Sequence, residues 1–175
     1  MKSTRTTPPP SGLALVALLS LVVSLGVGAC GHDIGDDCKT SADCDPNGTR
    51  ACDLSQPGGY CTIAGCDEKS CPTDSACIRY FPQMYLTKAC TPGLHDEGCD
   101  ADEVCLDPDP TAPNNPGDGM GLCAKRSSEQ RQCAKTCGGN GDCRGGYECR
   151  KAGTRGSMLL STNPTATTSF CAPAL

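Results

Sequence analysis

Hydrophobic positions are spread very unequally along this 175-residue chain. Residues 13–27, LALVALLSLVVSLGV, form one apolar block, preceded by Lys2 and Arg5 and by no acid. A basic stretch followed by an apolar run of about 15 residues reads as a secretory signal helix. The run is shorter than the roughly 20 residues that span a bilayer comfortably. Past it, regular structure is expected to be sparse. Ile78-Arg79-Tyr80-Phe81 and Met84-Tyr85-Leu86-Thr87 flank Pro82-Gln83 and predict a hairpin. Ala124 to Thr136, AKRSSEQRQCAKT, is the best helix candidate in the rest of the chain, with Ser127 and Gln130 spaced like a capping box. Leu106 to Gly121 carries Pro108, Pro110, Pro113 and Pro116 and is expected to be a mobile loop. Ser161 to Ser169, rich in Ser and Thr, reads as a second loop.

Composition explains why so little is periodic. The chain has 17 cysteines, 21 glycines and 14 prolines, but no Trp, two Phe and four Tyr. Such a chain buries too little apolar surface to offset the ordering entropy of its loops. Disulfides are expected to compensate, each contributing about 2–4 kcal/mol. That density of cysteine belongs in an oxidising compartment.

The cysteines repeat. Cys71-PTDSA-Cys77, Cys99-DADEV-Cys105 and Cys143-RGGYE-Cys149 share one spacing, and Cys44-DPNGTRA-Cys52 adds two residues around Asn47-Gly48. An opening cysteine precedes each core and a closing one follows. Unit one reads Cys38, Cys44, Cys52, Cys61, unit two Cys66, Cys71, Cys77, Cys90, and unit four Cys137, Cys143, Cys149, Cys171. Unit three has Cys99, Cys105 and Cys123 and lacks an opener unless it takes Cys90. Cys133 is then left to complete it, and the expectation is that Cys133 staples units three and four. Spacing alone cannot fix connectivity; a first-to-third, second-to-fourth scheme would bond Cys38–Cys52 and Cys44–Cys61. The closing cysteine follows a bulky residue at Tyr60, Leu122 and Phe170, expected to pack on the disulfides, whereas Ala89 stands there in unit two.

The seventeenth cysteine is Cys30. Val27-Gly28-Ala29-Cys30 resembles the lipobox of bacterial lipoproteins, with Val27 where Leu is commonest. The resemblance implies cleavage between Ala29 and Cys30, diacylglyceryl on the thiol and usually an acylated amino group. One acyl chain binds a membrane only marginally, whereas two or three hold firmly. Gly31, not Asp, follows the cysteine, which under the family's sorting rule favours the outer membrane of a Gram-negative cell. The spacing C-x5-C-x7-C-x8-C of unit one resembles small extracellular cysteine modules of EB and Dickkopf type. The whole chain looks like the cysteine-rich lipoproteins of myxobacteria and related predatory bacteria.

The expected architecture is a small disulfide-rich fold of tandem hairpin and loop modules with little regular secondary structure, after the N-terminal signal helix. The signal peptide would occupy 1–29, the lipidated Cys30 and tether 30–37, and modules one to four 38–61, 62–90, 91–136 (insert 106–121) and 137–175. Seven tether residues reach at most about 25 Å, so the folded part would lie close to the membrane.

Charge splits the mature part. Gly31 to Cys123 has 17 acidic and five basic residues, net −12, while Ala124 to Leu175 has eight basic and three acidic, net +5. The basic end could face anionic headgroups or an acidic partner, but with no long basic run, folding back on the acidic part or simple solvation explains it better. So acidic a chain outside the cytoplasm is not a nucleic-acid binder.

Candidate chemistry is thin. No C-x2-C pair exists, the tightest pair being Cys133-AKT-Cys137, and the histidines are only His32 and His95, so thiolate metal binding is not expected. Asp100, Asp102 and Glu103, like Asp107, Asp109 and Asp118, offer calcium-type oxygens without the EF-hand order. No G-x-S-x-G or H-E-x-x-H occurs, and neither catalysis nor a cofactor is expected. The one aromatic-rich stretch, Ile78 to Lys88, makes Tyr80, Phe81, Met84, Tyr85 and Leu86 the candidate interaction surface, or else the local core of unit two. The expected role is a lipid-anchored structural or interaction module at the cell surface, meeting the membrane through Cys30 and a protein or envelope partner. The alternative is a disulfide-framed protease inhibitor presenting Ile78–Lys88 or Leu106–Gly121.

Overall fold

The computed structural model describes residues 31–81, 85–92, 97–107, 120–163 and 165–174, the side chains of 85–87 excepted. The expected signal helix, the Pro82-Gln83 turn, Met84, His95 and most of the 106–121 insert lie outside them. In chain order the elements are α1 (Ser41–Cys44), β1 (Ala51–Cys52), β2 (Cys61–Thr62), β3 (Ser75–Tyr80), β4 (Tyr85–Cys90), β5 (Glu103–Leu106), β6 (Gly121–Lys125), β7 (Gln130–Lys135), β8 (Tyr147–Lys151), β9 (Ser157–Leu159) and β10 (Ser169–Pro173). Strands and loops dominate, with α1 a single turn.

Four antiparallel pairs form the frame: β1 with β2, β3 with β7, β5 with β6, and β8 with β10. One rule of register governs all four. Cys52 lies opposite Cys61, Cys77 opposite Cys133, Cys105 opposite Cys123, and Cys149 opposite Cys171. Facing residues of an antiparallel pair project from the same side of the sheet. Both sulfurs of a pair therefore point at one surface, and each bonds back to the segment that precedes the hairpin. The bonds are Cys38–Cys52 with Cys44–Cys61, Cys66–Cys77 with Cys71–Cys133, Cys90–Cys105 with Cys99–Cys123, and Cys137–Cys149 with Cys143–Cys171. Each unit thus pairs first to third and second to fourth, with Cα separations of 5.4–5.9 Å.

Two cysteines change units relative to the reading by spacing. Cys90 opens unit three, and Cys133 closes unit two instead of joining units three and four. Unit three, from Cys90 to Cys123, is consequently nested inside the hairpin loop of unit two, between Cys77 and Cys133. The loop of unit four is also used: its β9 adds to the free side of β3, while β4 adds to β6.

Two local expectations fail for tertiary reasons. Residues 124–136 are not a helix. They finish β6, make one 3-10 turn at Arg126–Ser128 and run on as β7. Six residues of β7 pair with β3, and that ladder, with the Cys71–Cys133 bond, outweighs a helical preference of at most a few tenths of a kcal/mol per residue. The two halves of the aromatic stretch do not form a hairpin either. β3 pairs with β7 and β9, whereas β4 goes to β6 in the neighbouring sheet. Of the loop expected over Ser161 to Ser169, the described residues 161–163 and 165–168 are irregular and Ser169 enters β10.

Half-cystines make up much of the interior. Among the described residues, the cluster of Cys38, Cys44, Cys61 and Cys52 and that of Cys90, Cys105, Cys123 and Cys99 contain nothing else. A larger cluster sets Ile34, Tyr60 and Tyr147 against Cys66, Cys77, Cys133 and Cys171. Phe170 packs with Ile78, Ala134 and Ala172, and Phe81 with Val104, Leu106 and Ala124. Of the bulky residues before closing cysteines, Tyr60 does lie on disulfides. Phe170 meets aliphatic side chains and the Tyr80 ring instead, and Leu122 is buried opposite Leu106 and Ala89.

Main-chain bonds reinforce the packing within units two and four and join unit four to unit two. Gly65 donates to the Arg131 carbonyl at 2.8 Å, Cys133 to Ile63 at 3.0 Å, Leu160 to Cys77 at 2.9 Å and Cys137 to Ser169 at 3.0 Å. A side-chain clasp joins unit four to unit one. The Arg144 guanidinium lies 4.1 Å from the Tyr147 ring centroid, and Tyr147 stacks on Tyr60 at 5.5 Å. Arg144 also donates to the carbonyls of Gly35 (2.9 Å), Pro57 (3.0 Å) and Gly59. The Tyr60 hydroxyl accepts the Lys135 amide at 2.9 Å, and burial pushes its pKa up to about 12. Gly59 is required there: at φ +72°, a Cβ would stand 2.1 Å from the Cys38 carbonyl oxygen.

Nesting predicts that unit three is dispensable to the rest. Tyr80 faces Gln130, so joining them through Asn-Gly in place of residues 81–129 closes a two-residue hairpin. The shortened chain is expected to hold six native disulfides by peptide mapping; scrambled pairing in units one, two and four would refute the nested arrangement. The Cys71–Cys133 bond spans 62 residues and Cys66–Cys77 only 11. Loop-closure entropy assigns them about 4 and about 3 kcal/mol, the first reduced by the bonds nested inside it. Alanine replacement of Cys71 and Cys133 is therefore expected to lower the denaturation midpoint at least as far as replacement of Cys66 and Cys77.

Candidate functional site

The structure divides the sequence candidates. Tyr80 sits edge-on to Phe170 with ring centroids 5.9 Å apart, and burial raises its pKa. Phe81 is 3% exposed. Phe81 belongs to the core and Tyr80 is half-buried against it, and Ile78–Tyr80 is strand β3, not a presented loop. Tyr85 and Leu86 lie on β4, their side chains outside the described set, as are Met84 and Cys30. The sixteen other cysteines are all in disulfides.

The acidic cluster has partners of its own. The oxygens of Asp100, Asp102 and Glu103 lie within 4.8 Å of one another. Lys88 Nζ is 2.9 Å from Asp100 and 3.4 Å from Glu103, and Lys125 Nζ is 3.0 Å from Asp102 and 2.9 Å from Glu103. Two ammonium groups from β4 and β6 thus serve three carboxylates. Glu103, 3% exposed, also accepts the Asp100 amide at 2.9 Å. That amide, with Lys125, pulls its pKa down to about 2.

The tether is also not what spacing suggested. Ile34 is buried beside Tyr60. Gly35 donates to the Cys61 carbonyl at 3.0 Å, Cys61 to Asp36 at 3.0 Å and His32 to Asp43 at 3.1 Å. The segment from Gly31 onward is packed on unit one. A Cβ on Gly31 would stand 2.5 Å from the Cys44 carbonyl oxygen, so glycine has a packing reason here besides any sorting rule.

A further site was not foreseen in the sequence. The β3–β7 register puts Arg79 directly opposite Arg131, a like-charge pairing that is normally destabilising. Glu129 lies between them, accepting from Arg79 Nη2 and, at 2.5 Å, from Arg131 Nε. The Arg79 guanidinium lies 5.4 Å from the Phe81 ring centroid. The Arg79 side chain is 17% exposed, that of Arg131 40% and that of Glu129 10%. Together with Gly65 and Arg126 they line an open cleft of about 660 Å³. Through Gly65 and Arg131 it continues into a groove of about 490 Å³ between β1, β2 and β7, walled by Ala51, Thr62, Ala64 and Gln132. No signal in the sequence joined Arg79 to Arg131, because 51 residues and all of unit three lie between them. Compared with protein-family models, curated proteins and solved structures, the chain matches none.

The Glu103 network predicts a pH dependence. A carboxyl lowered from an ordinary 4.5 to about 2 stabilises the fold fully above pH 4.5, and that contribution is lost as pH falls through 2. Glu103→Gln is expected to reduce stability at neutral pH. The gap to wild type should narrow between pH 4.5 and 2, read by denaturant titration across that range; a constant gap would rule the network out as its source.

Proposed function

We propose that this chain is a lipid-anchored envelope protein, held through Cys30 at the outer membrane of a Gram-negative cell, whose folded part works by contact and not by catalysis. The observation that carries the reading is the cysteine balance. Sixteen cysteines pair among themselves in four equivalent units, which leaves Cys30 no partner within the chain. It is the cysteine that closes Val27-Gly28-Ala29-Cys30 behind an apolar run.

The packed segment supports a close-held geometry. With Gly31 against unit one, a lipid on Cys30 would leave almost no free tether between module and bilayer. Disulfide-fixed hairpins also suit a binding surface, since little conformational freedom remains to be lost when a partner docks.

Expression in a Gram-negative host tests the anchor. Membrane-extracted protein is expected to begin at Cys30, with the mass of diacylglyceryl plus an amide-linked acyl chain and of eight disulfides. Cys30→Ser should shift the protein out of the detergent-requiring membrane fraction. Recovery of Cys30 in a disulfide, or unchanged fractionation of the variant, would refute the reading.

A further inference from the structure

The Arg79–Arg131 pair is a conflict that the fold maintains. Two guanidiniums face each other across adjacent strands, and one carboxylate, Glu129, serves both. Among the described residues Arg131 also meets Asp67, 3.6 Å from its Nη1 with a side chain 83% exposed, a loose contact at the rim. Each guanidinium offers five N–H donors, and among the described residues Glu129 accepts one from each. Arg79 Nε is buried with no protein acceptor. Local choices that oppose stability are expected at functional or strained positions.

The surroundings say what kind of ligand would resolve the conflict. Arg79 is held by Phe81 and Glu129, so its fork is oriented in advance. Glu129 already supplies one planar carboxylate. The charge left over on two guanidiniums is better met by a dianion whose oxygens reach both forks. The groove beyond Gly65 and Arg131 gives room for an organic body, and its walls at Ala51, Thr62, Ala64 and Gln132 are small or polar. Its backbone is already engaged: Gly65 and Cys133 donate to Arg131 and Ile63. An added peptide strand would find few free partners there.

We propose that this cleft binds the phosphate group of an organic phosphate, with Arg79 and Arg131 as ligands, Glu129 as the positioning residue and Arg126 at the rim. The inference rests on the module acting by binding, but not on the lipid at Cys30. A soluble sugar phosphate and an anionic phospholipid headgroup share this chemistry, and the test separates them.

Mature protein in neutral detergent is titrated calorimetrically with glucose 6-phosphate and with glucose. In parallel, phenylglyoxal modification of Arg131 is followed by peptide mass mapping in mixed micelles of phosphatidylglycerol or phosphatidylcholine. Heat with glucose 6-phosphate alone names a soluble ester, and protection by phosphatidylglycerol alone names a headgroup. Arg131→Gln, at an exposed position, is expected to weaken the positive arm roughly tenfold or more, the scale of one charge-assisted hydrogen bond. Arg79→Gln should do the same, with preserved disulfides checking its fold. Absence of both signals, or an Arg131→Gln protein that binds like wild type, would overturn the proposal. Either result leaves the Cys30 test untouched.

Discussion

Everything in this fold depends on pairs of cysteines that face each other across antiparallel strands yet are bonded elsewhere. Cys52 and Cys61, Cys77 and Cys133, Cys105 and Cys123, and Cys149 and Cys171 occupy facing positions. Because their side chains emerge on one side of the sheet, the two bonds of each unit pin one preceding segment onto one hairpin face. A strand pair as short as β1 and β2 would be marginal alone. Bonds from Cys38 and Cys44 hold it without needing a large apolar core.

That economy leaves the hairpin loops free to carry other structure. The loop of unit two holds all of unit three, and the loop of unit four returns β9 to the side of β3. Modules that appear consecutive in the chain therefore interlock. Residues far apart in sequence come together in the clasp of Arg144 with Tyr60 and Tyr147 and in the facing pair Arg79 and Arg131. The two contacts are opposite in character. Arg144 finds carbonyls and aromatic faces that satisfy it, whereas Arg79 and Arg131 share one carboxylate. Among the described residues the second leaves Arg79 Nε without an acceptor, beside an open cleft.

The packed segment after Cys30 ties this frame to the proposed anchor. Ile34 fills the space beside Tyr60, and the chain leads back along unit one to Gly31 with backbone bonds on both sides.

Much of this was legible in the sequence, for a physical reason. Cysteine count, spacing and the scarcity of aromatics bound the fold class, since a chain that cannot bury apolar surface must cross-link. The five-residue cores marked the hairpins, because their length suits a turn entering a strand. Cys90 and Cys133 were misplaced because a disulfide closes through space, and sequence distance does not register an inserted unit. The 124–136 segment looked helical by local preference, and the ladder with β3 decided otherwise. Tyr80 and Phe81 stood out as aromatics, but aromatic type alone does not separate a surface from a core. The arginine cleft was invisible until the register set Arg79 against Arg131. Chain chemistry alone determined that the protein is cross-linked and that Cys30 stands apart. Only tertiary structure, through register and nesting, decided which cysteines join and where unbalanced charge collects.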